Sequence, residues 1–311
     1  MISIQHHRLE MLAQKHWEAI ELHKSLIEKD KLNAELSIIF ENVNGKSYNL
    51  KMIVLAKPNE LEVLANHYKN NLPLTNESAH FWKEKMYKNY FSTTNKQLKD
   101  KEGKDYNAWT LVKNLGITIC PYCNINAIYN LEEGKRTSEI DHFYSKEKYP
   151  FLAMSFYNLI PSCKVCNKIK MASEEKIINP YDERYNLNEQ MTFKLKITKP
   201  SFYYDLSGFD IEIVADSKIK IEVENAKNEV FRLKERYEYH KDIVREIIQK
   251  EYTYNDSYID ELFRKYEGTL FKNREDVIKH LLGTYIETEN LHKRPLSKLT
   301  KDIATELGLI P

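Results

Sequence analysis

The chain reads Cys-Pro-Tyr-Cys at 120–123, Glu-Ile-Asp-His at 139–142 and Cys-Lys-Val-Cys-Asn at 163–167, and these stretches decide its fold. All four cysteines of the 311-residue chain lie in the two outer stretches, with 39 residues between the pairs. A Cys-x-x-Cys turn brings two thiolates to one metal ion, and two such turns supply the four ligands of a tetrahedral structural Zn²⁺. The spacing therefore predicts one closed zinc site, made by Cys120, Cys123, Cys163 and Cys166.

Two other interpretations of the cysteines stay open at this level. A Cys-x-x-Cys pair in a cytosolic protein can act in redox chemistry, and unligated cysteines are often buried as small apolar side chains. Zinc is favoured because neither pair resembles a thioredoxin-type turn. Two identical spacings also leave no cysteine over.

Composition places the chain among globular proteins and removes several function classes. Apolar residues make up 42% and charged residues 30%, so the chain can bury a core and disorder is not expected. Lys and Arg total 47 against 46 Asp and Glu, and the net charge of +1 excludes a uniformly basic nucleic-acid-binding coat but not a local basic face. No Gly-rich phosphate-binding loop is present, which predicts no ATP hydrolysis by the chain itself.

The sequence also predicts a cytoplasmic protein without membrane association. No stretch approaches the ~18 consecutive apolar residues that a membrane-spanning helix needs. The first residues lack the basic segment and apolar core that are typical of a secretory signal. Structural disulfides are improbable in a reducing compartment, which again favours metal binding by the cysteines.

The segment between the cysteine motifs carries residue types that suit hydrolysis. Asp141 and His142 are adjacent, and on a strand they would point to opposite faces. An imidazole can accept a proton near neutral pH, while Asp and Asn oxygens suit a hard ion such as Mg²⁺. The amide of Asn158 can fix a loop or orient an imidazole. Asn167 directly follows a predicted zinc ligand, so the zinc would set its position.

The order of these residues resembles one nuclease family. Residues 117–170 contain, in sequence, Cys-x-x-Cys, Asp-His, Asn-Leu, Cys-x-x-Cys-Asn and Lys. This order resembles HNH endonucleases of the zinc-bound ββα-metal type, in which an Asp-His lies on the first strand, a central Asn in the loop, and a closing Asn or His on the helix.

The resemblance implies a role for each matched position. Asp141 and Asn167 would bind a catalytic Mg²⁺ or Mn²⁺. His142 would be the general base that activates water, and Asn158 would hold the loop and orient His142. The reaction would be hydrolysis of phosphodiester bonds in nucleic acid, with DNA as the first expectation and RNA, including tRNA, also compatible.

The longer string around these residues is similar to one subgroup, the HNH component of Septu-type anti-phage systems, some of which are attached to retrons. The resemblance implies an ABC-type ATPase partner and, in retron-attached systems, a reverse transcriptase with its RNA–DNA product. Lys168 and Lys170 would contact a phosphate. The chain departs from the subgroup at Tyr144-Ser145, where a proline is common, and closes the motif with Asn167 rather than His.

The expected fold class is α+β and mostly helical, with a ββα-metal finger and its four-cysteine zinc site embedded between helical N- and C-terminal regions. Three segments are expected: 1–105, helical with a β-hairpin; 106–180, the HNH finger; and 181–311, a small antiparallel sheet followed by helices.

Apolar periodicity assigns the flanking elements. Helical spacing predicts helices over 6–31, from Pro58 to about 70, and over 225–250. Alternation predicts strands on both sides of Asn44-Gly45, as a hairpin over 36–54, and at 193–197, 209–213 and 219–223.

Residues 83–104 carry seven lysines against three acids, interleaved with aromatic residues. Such a segment can track phosphates through residues such as Lys96, Lys99 and Lys101, or it can be the solvated face of an amphipathic helix. The solvated face is the favoured interpretation.

Three functions compete. The leading one is a metal-dependent HNH endonuclease in phage defence. A zinc-finger module that binds nucleic acid without cutting it needs the zinc but gives Asp141 and His142 no reason to be adjacent. An assembly protein braced by zinc would have no affinity for nucleic acid.

Overall fold

The computed structural model describes residues 1–4, 7–71, 73–93, 97–171, 173 and 175–310. The protein is a mixed α/β structure, about half helical, with two antiparallel sheets of two strands each among the described residues. None of the described helices is both long and apolar enough to span a bilayer.

The N-terminal region is helical. Its helices are α1 Leu9–Glu21, α2 Leu26–Ile39, α3 Leu50–Leu55, α4 Pro58–Lys69, α5 Asn76–His80, which continues as a π-helical segment over Phe81–Phe91, and α6 Ala108–Leu115. Local chemistry sets several ends. The Asn49 side chain accepts a hydrogen bond from the Met52 backbone N–H at the start of α3, Pro58 occupies the first turn of α4 as predicted, and Gly116 ends α6 at a φ of 66°.

The single helix predicted for 6–31 is interrupted between α1 and α2. The ammonium of Lys29 explains the break, because it donates to the carbonyl oxygens of Ile20 at 3.1 Å, Glu21 at 2.7 Å and His23 at 2.7 Å. A cation that satisfies the last carbonyls of a helix stabilises its C-terminus. The chain therefore turns at this point and begins α2 beside it.

The hairpin predicted for 36–54 is wrong, although its turn is correct. Val43 and Lys46 exchange backbone hydrogen bonds of 2.8 and 3.1 Å around Asn44-Gly45, both of which have positive φ. The flanking residues are nevertheless in α2 and α3. Leu32, Leu36 and Phe40 are fully buried at four-residue spacing, whereas Ile38 is 72% exposed, so the pattern that resembled alternation is one face of a helix.

The cysteine-bounded segment folds as a β-hairpin followed by a helix. Strands β1 Glu139–His142 and β2 Leu159–Ser162 are antiparallel, with Asp141 opposite Ile160 and His142 opposite Leu159. Helix α7 Lys164–Lys170 begins directly after Cys163 and contacts β1. The order of elements in this segment is therefore strand, strand, helix.

The C-terminal region joins a second sheet to a group of helices. Its elements are α8 Leu187–Gln190, β3 Met191–Ile197, β4 Phe209–Ala215, α9 Lys220–Glu224 with a π-helical segment over Asn225–Val230, α10 Leu233–Glu238, α11 Lys241–Thr253, α12 Asp256–Tyr266, α13 Arg274–Leu282 and α14 Ser297–Glu306. The sheet packs on α14, where the Asp302 carboxylate accepts from the Phe193 backbone N–H at 2.9 Å. Asp302 also pairs with the buried Lys298 at 2.9 Å.

Two predictions for this region are wrong, the first of them in the same way as the hairpin. The third strand predicted at 219–223 is α9, because Ile219 and Val223 are buried while Ile221 is 70% exposed. The long helix predicted for 225–250 is interrupted at Arg232, whose φ is 49°, and again at His240 between α10 and α11. The two strands predicted before them are confirmed as β3 and β4.

The buried apolar side chains of all three expected segments belong to one continuous cluster, from Met1 to Leu309. His16 of α1 shows how the segments are joined: its Nδ1 lies 3.1 Å from the Tyr106 hydroxyl and its Nε2 lies 2.9 Å from the Met154 carbonyl oxygen. The domain boundaries at 105/106 and 180/181 stay a prediction.

Substitutions in α2 can distinguish the helical structure of this segment from the hairpin predicted from the sequence. We expect Leu36→Ala to lower the free energy of unfolding by about 2–5 kcal/mol because it empties a buried position. Ile38→Ala is the matched control and should change it by less than about 0.5 kcal/mol. Urea denaturation measures both, and equal losses at the two positions would support the hairpin instead.

His16 should make the fold sensitive to acid. Burial lowers the pKa of His16 to about 4 from its ordinary 6.5, so below pH 6.5 the unfolded chain takes up a proton that the native chain does not. Its contribution to stability is present above pH 6.5 and is lost as the pH falls toward 4, at a cost of about 2 kcal/mol by pH 5. His16→Gln cannot protonate, so its unfolding free energy should fall less between pH 7.5 and 5. Parallel curves for the two proteins would contradict this assignment.

Candidate metal and catalytic site

The four cysteines converge. All four are buried, and their Sγ atoms lie within 4.8 Å of one another. A tetrahedral Zn²⁺ with Zn–S bonds of about 2.3 Å places its sulfurs about 3.8 Å apart, so four thiolates at this separation fit the ion with little movement. The cluster can therefore hold a metal such as zinc, and none of its donors is a hard oxygen ligand.

Hydrogen-bond donors surround the sulfurs. Asn126 Nδ2 lies 3.3 Å from Cys163 Sγ, and Arg236 Nη1 lies 3.3 Å from Cys166 Sγ. The backbone N–H groups of Ile125 and Cys166 point at Cys123 and Cys163 Sγ, each at 3.4 Å. Such donors offset the negative charge of thiolates and fix their orientation around a metal. Arg236 lies 70 residues beyond Cys166, and no sequence pattern connects the two.

An open groove of about 670 Å³ lies beside β1 and α7. Asp141, His142, Asn167 and Lys168 all line it, so the structure brings together four of the residues selected from the sequence. The other two, Asn158 and Lys170, do not line this groove.

His142 is held in a neutral form. Its Nε2 lies 3.0 Å from the Ala153 carbonyl oxygen. A carbonyl can only accept, so Nε2 carries the proton and Nδ1 keeps its lone pair. Burial lowers the pKa of His142 to about 3. The Tyr87 ring packs against the imidazole at 4.3 Å between centroids. The imidazole is therefore neutral and Nδ1 is the nitrogen that can accept a proton, but a pKa of about 3 makes it a weak base near neutral pH.

The Asp141 carboxylate is engaged by two buried partners. Tyr122, one of the two residues between Cys120 and Cys123, donates its hydroxyl to Oδ2 at 2.7 Å. Lys170 Nζ lies 3.0 Å from Oδ2 and 3.3 Å from Oδ1, and it also donates to the carbonyl oxygens of His142 at 3.0 Å and Phe143 at 3.1 Å. Sequence reasoning missed Tyr122, although its place inside a cysteine motif could have indicated a fixed position.

The two lysines predicted to contact a phosphate, Lys168 and Lys170, lie in different surroundings. Lys170 is only 4% exposed and points into the protein, so the prediction that it contacts a phosphate does not fit its placement. Lys168 is exposed at the groove and retains that prediction.

Asn158 fastens the loop that follows β1. It is fully buried. Its Oδ1 accepts from the Tyr144 backbone N–H at 2.7 Å, while its Nδ2 donates to the carbonyl oxygens of Tyr144 at 3.1 Å and Leu152 at 2.9 Å. The next residue after Leu152 is Ala153, whose carbonyl contacts His142. Asn158 thus reaches the imidazole only through the loop that it holds.

Two of the hard oxygen ligands that line the groove are those selected from the sequence, and Glu139 and Glu147 line it as well. Asn167 is partly exposed, and its side chain has no hydrogen-bond partner among the described residues. Among the described residues, Asp141 Oδ1 accepts one long hydrogen bond, from Lys170 Nζ at 3.3 Å, which leaves it a lone pair for a metal ion. A carboxylate and an amide oxygen fit Mg²⁺, which keeps several water ligands in most protein sites.

Charges of the lysine-rich segment are largely paired. Lys83 contacts Glu147 at 2.5 Å, Lys88 contacts Glu84 at 3.0 Å, and Lys101 contacts Glu18 at 2.6 Å. Lys99 pairs with Asp105, and Lys96 lies outside the described residues. This pairing supports the solvated-face interpretation.

A short part of the chain is similar to a known protein, the Septu protein PtuB of Bacillus thuringiensis. The identity is 41% over 64 residues, which are 20% of this chain and 23% of PtuB. The similarity thus spans about a quarter of that relative. No protein-family model matches the chain, and no solved structure does.

Loss of one sulfur should cost the metal and the fold together. We expect the purified chain to contain about one zinc, and Cys163→Ser to lose most of it and to unfold at a lower temperature, because a structural zinc supplies folding free energy. Lys164→Ala, the neighbouring exposed residue, is the matched control and should keep the zinc. Elemental analysis and thermal unfolding measure both. Full zinc content in Cys163→Ser would exclude a four-cysteine site.

Proposed function

We propose that the chain is a metal-dependent endonuclease that hydrolyses phosphodiester bonds of nucleic acid. The observation that carries this proposal is the neutral His142, fixed by Ala153, in the same groove as Asp141 and Asn167. A base beside oxygen ligands for a hard cation is the arrangement that phosphodiester hydrolysis needs.

In this proposal the selected residues of the groove have separate roles in the hydrolysis. His142 accepts a proton from water through Nδ1, and the hydroxide attacks phosphorus in line with the leaving 3′ oxygen, which yields 5′-phosphate and 3′-hydroxyl ends. Lys168 holds a neighbouring phosphate at the groove. Asp141 and Asn167 would hold Mg²⁺ or Mn²⁺, which would supply charge neutralisation at the scissile phosphate.

DNA is the proposed substrate, and RNA, including tRNA, is the alternative. The groove is open and lined by exposed lysines rather than by a base-reading pocket. Contacts of this kind grip the backbone that both polymers share.

We also propose a defence context, supported by the similarity to Septu protein PtuB. The chain would act in an anti-phage system with an ABC-type ATPase, and in a retron-attached form with a reverse transcriptase and its RNA–DNA product.

One observation favours the alternative of a zinc module that binds nucleic acid without cutting it. The contacts of Asp141 with Tyr122 and Lys170 give this carboxylate a structural role that needs no catalysis. That module would bind nucleic acid equally well in Mg²⁺ and in EDTA, and it would cut in neither.

His142→Ala tests the proposal. We expect cleavage to fall by about 10²–10⁴-fold because the base is gone, while zinc content and unfolding temperature stay near those of the unmodified chain. His80→Ala, an exposed histidine on α5, is the matched control.

The assay should incubate the chain on DNA and on total RNA, with and without the product of the neighbouring gene, in Mg²⁺ and in EDTA. Cleavage by His142→Ala at the full rate would refute the role of the imidazole. Binding without any cleavage, even with the partner present, would establish the non-catalytic module.

A further inference from the structure

Lys170 forms a buried ion pair at the proposed ion-binding carboxylate. Its ammonium is held by three groups of protein oxygens, the carboxylate of Asp141 and the carbonyls of His142 and Phe143, all at 3.0–3.3 Å. The side chains of Lys170 and Asp141 are each 4% exposed. Water therefore screens this pair far less than it screens a surface pair.

The pair removes the negative charge that would attract a cation. Asp141 contributes one negative charge and Asn167 none, and the ammonium of Lys170 cancels the first. With Lys170 counted, the charges in and next to the groove lining are three carboxylates, Glu139, Asp141 and Glu147, against four lysines, Lys146, Lys164, Lys168 and Lys170. A divalent cation that enters the groove without nucleic acid meets no net negative field and a nearby ammonium that repels it.

A phosphodiester supplies what the groove lacks. It brings one negative charge and two oxygen atoms that can bind a hard cation. With a phosphate in place, the ligands have a net negative charge despite Lys170.

We propose, on the basis of the proposed function, that Lys170 makes divalent-ion binding depend on bound nucleic acid. The chain alone binds the catalytic ion weakly, and the scissile phosphate completes the site. Lys170 is a positioning residue: it acts on the ion through Asp141 and touches no reacting atom.

Mn²⁺ binding measured by electron paramagnetic resonance tests this without an activity readout. The zinc-loaded His142→Ala chain is titrated with Mn²⁺ alone and with saturating short DNA or RNA of the same sequence. We expect the affinity for Mn²⁺ to rise by about tenfold or more when the oligonucleotide is bound. An affinity that the oligonucleotide does not change would overturn the proposal, even if Lys170 variants failed to fold.

Lys170→Met keeps the apolar stem and removes the charge. In the same His142→Ala chain we expect it to bind Mn²⁺ about tenfold more tightly than the Lys170 form without nucleic acid, and to gain less from the oligonucleotide. Lys113→Met, at an exposed position on α6, is the control and should keep the original values. If Lys170 only braces the loop, Lys170→Met will lower the unfolding temperature and leave the affinity for Mn²⁺ unchanged, which rejects the proposal.

The two proposals fail in different ways. Absence of Mn²⁺-dependent cleavage by the unmodified chain with its partner refutes the nuclease. Cleavage together with tight Mn²⁺ binding by the free chain refutes only the role of Lys170.

Discussion

The convergence of two cysteine pairs on one point is the constraint on which the rest of the structure depends. Closing the 39-residue loop between the pairs costs about 3 kcal/mol of chain entropy beyond a constant. Structural zinc sites release about 10–16 kcal/mol on binding, so metal binding outweighs loop closure several-fold. Once the sulfurs meet, Tyr122 on the first turn and Lys170 on the helix after the second are brought to the same carboxylate, Asp141. The cysteine cluster is thereby linked to the proposed catalytic groove through two side chains.

The contacts of Asn158 and His142 show how a loop can hold a side chain in a defined orientation. The loop after β1 has little regular structure, yet Asn158 fastens it at Tyr144 and Leu152. The adjoining carbonyl of Ala153 then fixes the tautomer of His142. Because this carbonyl comes from the backbone, only the position of the loop matters for the imidazole. The side chain of Asn158 therefore influences the orientation of the His142 imidazole indirectly, by holding the loop that carries Ala153.

The sequence was informative where geometry follows from spacing. Cys-x-x-Cys pairs and the Asn-Gly turn each specify a local shape: the four sulfurs converge, and the turn forms between Val43 and Lys46. Apolar alternation was ambiguous, because a helix whose exposed face carries Ile38 or Ile221 shows the same pattern as a strand over five residues. The partners of Asp141 could not be predicted from the pattern, since Lys170 lies 29 residues away and meets the strand only after the hairpin and helix have packed. Arg236 reaches Cys166 across 70 residues for the same reason.

Charge balance bears on how the proposed enzyme would hold its substrate. Nucleic-acid affinity without sequence preference grows with the number of phosphates that lysines and arginines neutralise. In this chain, lysines that could form a basic face, such as Lys83, Lys88 and Lys101, already contact carboxylates, and the groove lining itself is balanced. A grip built on Lys164 and Lys168 alone neutralises two phosphates, which gives weak binding at physiological salt. The proposed catalytic groove would thus supply chemistry without much affinity, and a second protein that holds the nucleic acid against it would supply the affinity. The proposed ATPase partner would fill that need, and the weak intrinsic grip would keep the isolated chain from cutting nucleic acid indiscriminately.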